Sequence, residues 1–275
     1  MEYLFEIKDM KCSYKTGETL PSDIVLQIDR LQIPQGKIVF FVGPSGIGKS
    51  TILETLGFMN RTIASVAQFD YAGQDVRDIW NWTDDKISAF RNKEFSFIFQ
   101  QCNLMQNFTA YENVMATALI QGAGKNEARK LANAVLRRMD LPATEDRPIY
   151  QYSGGQQQRL AFARAILPQF KVIFGDEPTG NLDVKSAENL MKVLVEAIKE
   201  RSASAIIVSH DMHLAVNYAD MIVQIQRVSE TSLGTEHCYG LINDYSIYER
   251  KDTQWHHCEN VFSCNALYTK LMEEI

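Results

Sequence analysis

A glycine-rich turn, G-P-S-G-I-G-K-S from Gly43 to Ser50, stands between the apolar run Lys37 to Val42 and a stretch from Ser50 to Phe58 with helical character. It matches G-x-x-x-x-G-K-[ST], which requires a strand entering the turn and a helix leaving it. Glycines let the backbone curl round an anion. Successive N–H groups then point inward at a phosphate, and the helix N-terminus adds its partial positive charge. The anion-binding set predicted here is Gly43, Pro44, Ser45, Gly46, Gly48, Lys49, Ser50 and Thr51. Lys49 is placed for the β- and γ-phosphates of a nucleotide, and the Ser50 hydroxyl for Mg²⁺. The alternative, an ordinary glycine turn with an exposed lysine, is disfavoured by the flanking strand and helix.

Lys171 to Glu177 reads K-V-I-F-G-D-E, an apolar run ending in two carboxylates. A buried strand that delivers acids to the C-terminal edge of a parallel sheet has this pattern. Asp176 is expected to hold the Mg²⁺ shell and Glu177 to orient and deprotonate an attacking water. Glycine weakens a strand interior, so Gly175 is a departure, and close packing against the phosphate turn is the expected reason for it.

Four further stretches follow in order: Gln100 after F-S-F-I-F, Y-S-G-G-Q from Tyr152 to Gln156, E-P-T-G-N-L-D from Glu177 to Asp183, and His210 after A-I-I-V-S. On E-P-T-G-N-L-D and on Y-S-G-G-Q-Q-Q-R-L-A-F-A-R-A-I-L, Tyr152 to Leu167, the chain resembles the ATPase subunits of ABC transporters. The branch is that of the lipoprotein-release, macrolide-export and cell-division ATPases. The resemblance covers about Tyr3 to Arg227. It implies an α/β fold of the P-loop NTPase class: an ABC ATPase domain with a parallel core sheet, an N-terminal antiparallel β-subdomain and an inserted helical subdomain at about residues 100–168. It also implies ATP and Mg²⁺ as ligands and a head-to-tail homodimer formed on ATP. Ser153, Gly154, Gly155 and Gln156 would face the γ-phosphate held by the opposite copy, an anion at a helix N-terminus. By the same resemblance Gln100 bridges Mg²⁺ and a transmembrane partner, Asp183 contacts the other copy, His210 senses the γ-phosphate, and Tyr14 stacks on adenine. Catalysis would rest on Glu177, His210, Gln100 and Lys49, and Mg²⁺ on Ser50, Gln100 and Asp176. Tyr152 stands where the family usually has leucine, a change that bears on the fit against the opposing subunit.

A chain of 275 residues suits one α/β domain with an insertion, here residues 1–228, followed by an extension at 229–275. The net charge of −6 argues against nucleic-acid backbone binding as the main task. No apolar run approaches a membrane span, and the N-terminus lacks a signal-peptide core. The expected location is therefore cytoplasmic, peripheral on the inner face of the membrane through an integral-membrane permease on another polypeptide. Two readings share the ATPase: export or extraction of a substrate, and transmembrane signalling as in the cell-division relatives. A nucleotide-binding scaffold without catalysis is disfavoured by intact Lys49, Asp176, Glu177 and His210.

The pattern predicts a β-rich start, Tyr3 to Ile33, then a polar stretch, Arg61 to Lys93, with one strand and an exposed loop. Lys125 to Met139 has helical spacing, with Ala128, Leu131, Val135 and Met139 on one face. From Lys171 the order is strand, loop, helix Ala187 to Arg201, strand Ser204 to Ser209, short helix, strand Met221 to Gln226, which implies βαβ units. Five cysteines without close even spacing are read as reduced thiols, Cys12 and Cys102 as ordinary ones. The Cys and His residues of the tail lack the tight pairs of a zinc site. Its aromatic residues, among them Tyr248 and Trp255, argue for a packed extension. Leu104, Met105, Phe108 and Tyr111, just after Gln100, are more apolar than an exposed loop needs, and part of this cluster is expected to line a groove for a coupling helix of the membrane subunit.

Overall fold

The computed structural model describes residues 2–15, 17–141, 148–232 and 235–274. The chain forms two compact units, Met1–Ser88 with Ser204–Ile275, and Ala89–Ala203. The first begins with strands β1 (Tyr3–Cys12), β2 (Leu26–Pro34) and β3 (Ile38–Val42), helix α1 (Lys49–Leu56), and strands β4 (Ile63–Ser65), β5 (Gln68–Tyr71) and β6 (Gln74–Asp75). Helix α2 (Asp84–Glu94) runs into the second unit. That unit holds β7 (Phe95–Ile98), α3 (Ala110–Ile120), α4 (Lys125–Arg138), α5 (Gly154–Ile166), β8 (Val172–Asp176) and α6 (Val184–Arg201). The chain then returns with β9 (Ser204–Val208), α7 (Met212–Tyr218), β10 (Met221–Gln224), β11 (Gln226–Ser232), β12 (Thr235–Ile242), β13 (Ile247–Lys251), β14 (Gln254–His257), β15 (Asn260–Phe262) and α8 (Cys264–Glu274).

Two sheets build the first unit. One runs β11-β12-β2-β1-β5-β6, with β4 also on β1. In β1 and β2 the buried positions largely alternate, Phe5, Ile7, Met10 and Cys12 on one strand and Leu26, Ile28, Leu31 and Ile33 on the other, as period-2 strands with one covered face require. Phe5, Phe58, Phe69 and Tyr71 form an aromatic cluster there, with ring centroids 5.1–6.4 Å apart. In the other sheet β3 lies parallel to β9 on one side and to β10 on the other. All five residues of β3, Ile-Val-Phe-Phe-Val, are buried, the continuous apolar signature of a strand covered on both faces.

The tail extends both sheets. Strand β12 pairs parallel with β2, and β13 pairs antiparallel with β10, followed outward by β14 and β15. Tyr248, Trp255, Leu267 and Leu271 are buried, whereas Tyr245 and Tyr268 are exposed, so part of the aromatic content of the tail goes into packing.

In the second unit β7 and β8 form a parallel pair, and helices α3, α4 and α5 pack on one another. Three expectations are corrected. On α4 the buried stripe is Ala128, Ala132, Val135 and Leu136, with Met139 beyond the last turn, whereas Leu131 is 42% exposed. At roughly 100° per residue Leu131 falls about 80° from the centre of that stripe. The polar stretch Arg61 to Lys93 holds β4, β5, β6 and most of α2, because strands of two to four residues leave too short a pattern to read. Gly175 is small because of Pro178: a Cβ built on Gly175 would meet the pyrrolidine ring at 3.2 Å.

Candidate functional site

The phosphate turn leaves the C-terminal end of β3 and enters α1. Gly43 and Gly48 have φ of +154° and +99°, values that L side chains rarely adopt. A Cβ on Gly43 would also lie 3.0 Å from the Ile225 carbonyl. The Lys49 ammonium donates to the carbonyls of Gly43 at 2.8 Å and Pro44 at 2.9 Å. This holds the cation inside the turn. Ser45, Gly46 and Ser50 are exposed and Thr51 is buried.

Tyr14 lies against the same helix. Its hydroxyl meets Thr51 Oγ1 at 3.1 Å and donates to Glu54 Oε2 at 2.8 Å, while 52% of the residue stays exposed. Burial of the hydroxyl, and secondarily the Glu54 carboxylate, pushes the phenol up to about 12. The ring is thus tethered at its tip. His210 is exposed and follows β9, whose neighbour is β3; the Ser209 N–H donates to the Phe41 carbonyl at 3.2 Å. Tyr14, the phosphate turn and His210 are therefore grouped in the first unit, the latter two at the C-terminal ends of adjacent parallel strands, where α/β sheets bind ligands.

The second unit groups the rest. Asp176 and Glu177, at the end of β8, are half-buried. Glu177 has φ +45°, a left-handed value that costs a non-glycine residue about 1–3 kcal/mol and marks functional sites more often than chance. Ser153 caps α5 in a reciprocal box: its hydroxyl accepts from the Gln156 N–H at 3.3 Å and the Gln156 carboxamide accepts from the Ser153 N–H at 3.0 Å. Ser153 and Gly154 at this end of α5 are exposed, so an anion can reach this helix terminus. Asp183 caps α6, accepting from the Ser186 N–H at 3.0 Å and hydroxyl at 2.6 Å; these bonds hold its carboxyl below the usual range. Tyr152, before the cap of α5, is buried.

Gln100 is exposed after β7. Beyond it Cys102 and Asn103 both take left-handed φ, +58° and +44°. The Arg164 guanidinium on α5 fixes them by donating to both carbonyls, at 2.8 Å and 2.5 Å. The buried Asn113 side chain fixes the next turn, accepting from the Met105 N–H at 2.9 Å and donating to the Met105 and Thr109 carbonyls at 3.0 Å each. Neither Arg164 nor Asn113 was legible as a site residue: Arg164 acts on backbone about 60 residues away, and the turn that Asn113 fixes carries no motif. Of the apolar cluster, Leu104 is buried, a correction to its place in a docking groove, Tyr111 is half-buried, and Met105 and Phe108 are 36% and 41% exposed.

The donors assigned to Mg²⁺, Ser50 Oγ, Asp176 and the Gln100 carboxamide, are all oxygens. A hard divalent cation prefers that set. The glycine cradle with its inward ammonium fits a di- or triphosphate.

Comparison with known proteins agrees with this chemistry. The sequence profile of the family described as ABC transporter matches residues 26–180. The macrolide export ATP-binding/permease protein MacB of Syntrophobacter fumaroxidans is 38% identical over 226 residues, 81% of this chain and 30% of that protein. The chain thus spans about a third of the length of the MacB relatives it matches. The lipoprotein-releasing system ATP-binding protein LolD of Geobacter metallireducens is 35% identical over 215 residues, 78% of this chain and 92% of that protein. Among solved structures, the bacterial ABC transporter cassette MJ0796, a dimer, superposes with a TM-score of 0.69 at 32% identity, covering 80% of this chain and 93% of that one. The same cassette in a post-hydrolysis dimer with ADP and Pi gives 0.68 at 30% identity, with the same coverage.

Proposed function

Since this chain belongs to the ABC transporter ATP-binding family, we propose that it hydrolyses ATP to power a membrane complex, exporting or extracting a substrate through a separate permease. The observation that carries the reading is the phosphate turn, with glycines in left-handed backbone and the Lys49 ammonium folded inside. The turn and the N-terminus of α1 bind the β- and γ-phosphates, Lys49 neutralises their charge, and Tyr14 offers its exposed ring to the base. Ser50, Asp176 and Gln100 are the residues that would hold Mg²⁺, which would supply neutralisation of the phosphate charge. Glu177 orients a water and takes its proton as the water oxygen bonds to the γ-phosphorus and the bond to the bridging oxygen breaks, leaving ADP and phosphate. His210 donates to the γ-phosphate oxygens.

Two copies bind head to tail on ATP, the exposed first turn of α5 in one copy, with Ser153 to Gln156, completing the phosphate site of the other, and Asp183 adding to the contact. The dimeric state of MJ0796 and the accessible helix terminus support this. No helix among the described residues is long and apolar enough to cross a membrane. In this reading the protein sits on the inner face of the membrane by docking to its permease; the MacB name, which joins ATP binding to a permease, supports a permease as partner.

Glu177→Gln tests the chemistry. It keeps the shape of the side chain and removes the base, so phosphate release by the full chain should fall about 10² to 10⁴-fold while calorimetric ATP affinity is retained. Sizing chromatography of this variant with Mg·ATP should show a dimer. Wild-type turnover would overturn the role of Glu177, and a monomer at high protein concentration would overturn the dimer.

A further inference from the structure

Gln158 lies two residues beyond Gln156 on α5 and is 0% exposed. A carboxamide removed from water must find partners, or leaves an unsatisfied group at about 1–3 kcal/mol. Gln158 finds two, on different segments. Its Oε1 accepts from the Cys102 thiol at 2.8 Å, and its Nε2 donates to the Pro178 carbonyl. A carbonyl can only accept, so the amide nitrogen must face Pro178 and the oxygen must face the thiol. The thiol must then keep its proton.

The two segments so joined are those with assigned roles. Cys102 stands two residues past Gln100, in the left-handed turn that Arg164 fixes. Pro178 directly follows Glu177, whose left-handed φ persists only if its surroundings impose it. Pro178 is held twice: its ring lies against Gly175 of β8, and its carbonyl is bonded to Gln158. At the start of the same helix, a Cβ on Gly155 would sit 3.4 Å from Leu182 of the loop that follows. Helix α5 therefore braces the peptide that aims Glu177, and Gln158 is the polar part of the brace.

We propose that Gln158 is a positioning residue for hydrolysis: its carboxamide ties the segment after Gln100 to the peptide after Glu177, fixing the aim of the Glu177 carboxylate. The proposal rests on the reading of Glu177 as the base. It also gives Cys102 a task that a hydroxyl can perform and a methyl group cannot.

The test uses the full chain, steady-state phosphate release over a range of ATP, and thermal unfolding of each variant. Gln158→Met keeps the volume and removes both bonds; kcat should fall about 10- to 100-fold with KM for ATP within about threefold, since misplacement of about 1 Å has that effect on a reacting group. Gln158→Glu sets a carboxylate oxygen against the Pro178 carbonyl and should lose at least as much. Cys102→Ser should stay within about threefold of wild type, and Cys102→Ala should fall about tenfold. If the Gln158 variants do not fold, the Cys102 pair decides alone, because a merely structural contact would lower the unfolding temperature without separating kcat from KM. A folded Gln158→Met with wild-type kcat, or serine and alanine at 102 behaving alike, overturns the proposal. Glu177→Gln runs beside them: wild-type turnover there sinks the role of Glu177 itself, whereas an inactive Glu177→Gln with a fully active Gln158→Met sinks the positioning role alone.

Discussion

Glu177 and Cys12 show two ways in which a single side chain is held away from its ordinary behaviour. Glu177 is held by backbone, at φ +45°. Cys12 is held by burial: it lies in β1 within 3.8 Å of Thr55 Oγ1, and removal from water pushes its thiol from 9.0 up to about 12. The folded value lies above the unfolded one, so the stability this thiol contributes is fully present below about pH 9 and is lost as pH rises toward 12. The urea midpoint should drop between pH 9 and 11, and Cys12→Ala should flatten that drop while lowering stability at pH 7. An equal alkaline slope in both proteins would assign the effect to other groups. Legibility at this scale follows the range of the interaction. Gly43 to Ser50, Ser153 to Gln156 and Asp176-Glu177 could be read because each motif is local, its donors and acceptors a few residues apart. Gln158 could not: its partners lie 56 and 20 residues away, and nothing in its neighbourhood distinguishes it from Gln157. Cys102 was read as ordinary for the same reason.

At the scale of elements, the apolar strands and the longer helices were legible, and their ends agree with the pattern to within a few residues. Strands β3 and β9, five buried residues each, carry the continuous apolar run of a doubly covered strand. The short strands β4 to β6 and the face of α4 at Leu131 were not, since a period needs several repeats before it fixes a direction. The tail strands escaped for another reason: what decides them is the partner strand. Gly240 in β12 shows how close that partnership is. A Cβ there would lie 2.2 Å from the Ile47 carbonyl and 2.7 Å from Ile225 Cγ2, so β12 runs directly against the back of the phosphate turn. Gly240→Val must move one of these backbones. It should lower stability by about 2 kcal/mol or more, visible as a drop of several degrees in thermal unfolding, and should weaken ATP binding by calorimetry as the turn is displaced. A variant with unchanged unfolding temperature would show that β12 can shift without cost.

For the whole molecule, the resemblance carried the α/β class and the family, while the division of the chain at residues 88/89 and 203/204 depends on packing that no motif encodes. The partner surface is decided at this scale too. Met105 and Phe108 are exposed while Leu104 is buried, so a double variant Met105→Ser, Phe108→Ser should keep the unfolding temperature and lose retention of a co-expressed permease in detergent extracts. Retention at the wild-type level in a folded variant would remove this pair from the docking surface. Strand β13 has a different kind of consequence. By pairing with β10 it occupies hydrogen-bonding groups that would otherwise form a bare edge, and bare edges of apolar strands template pairing between chains. A shortened version ending at Ile242 would leave β10 open, and two such copies would zip together along it without any nucleotide. In a sizing column that adhesive artefact would elute as a pair, easily mistaken for the one that ATP holds.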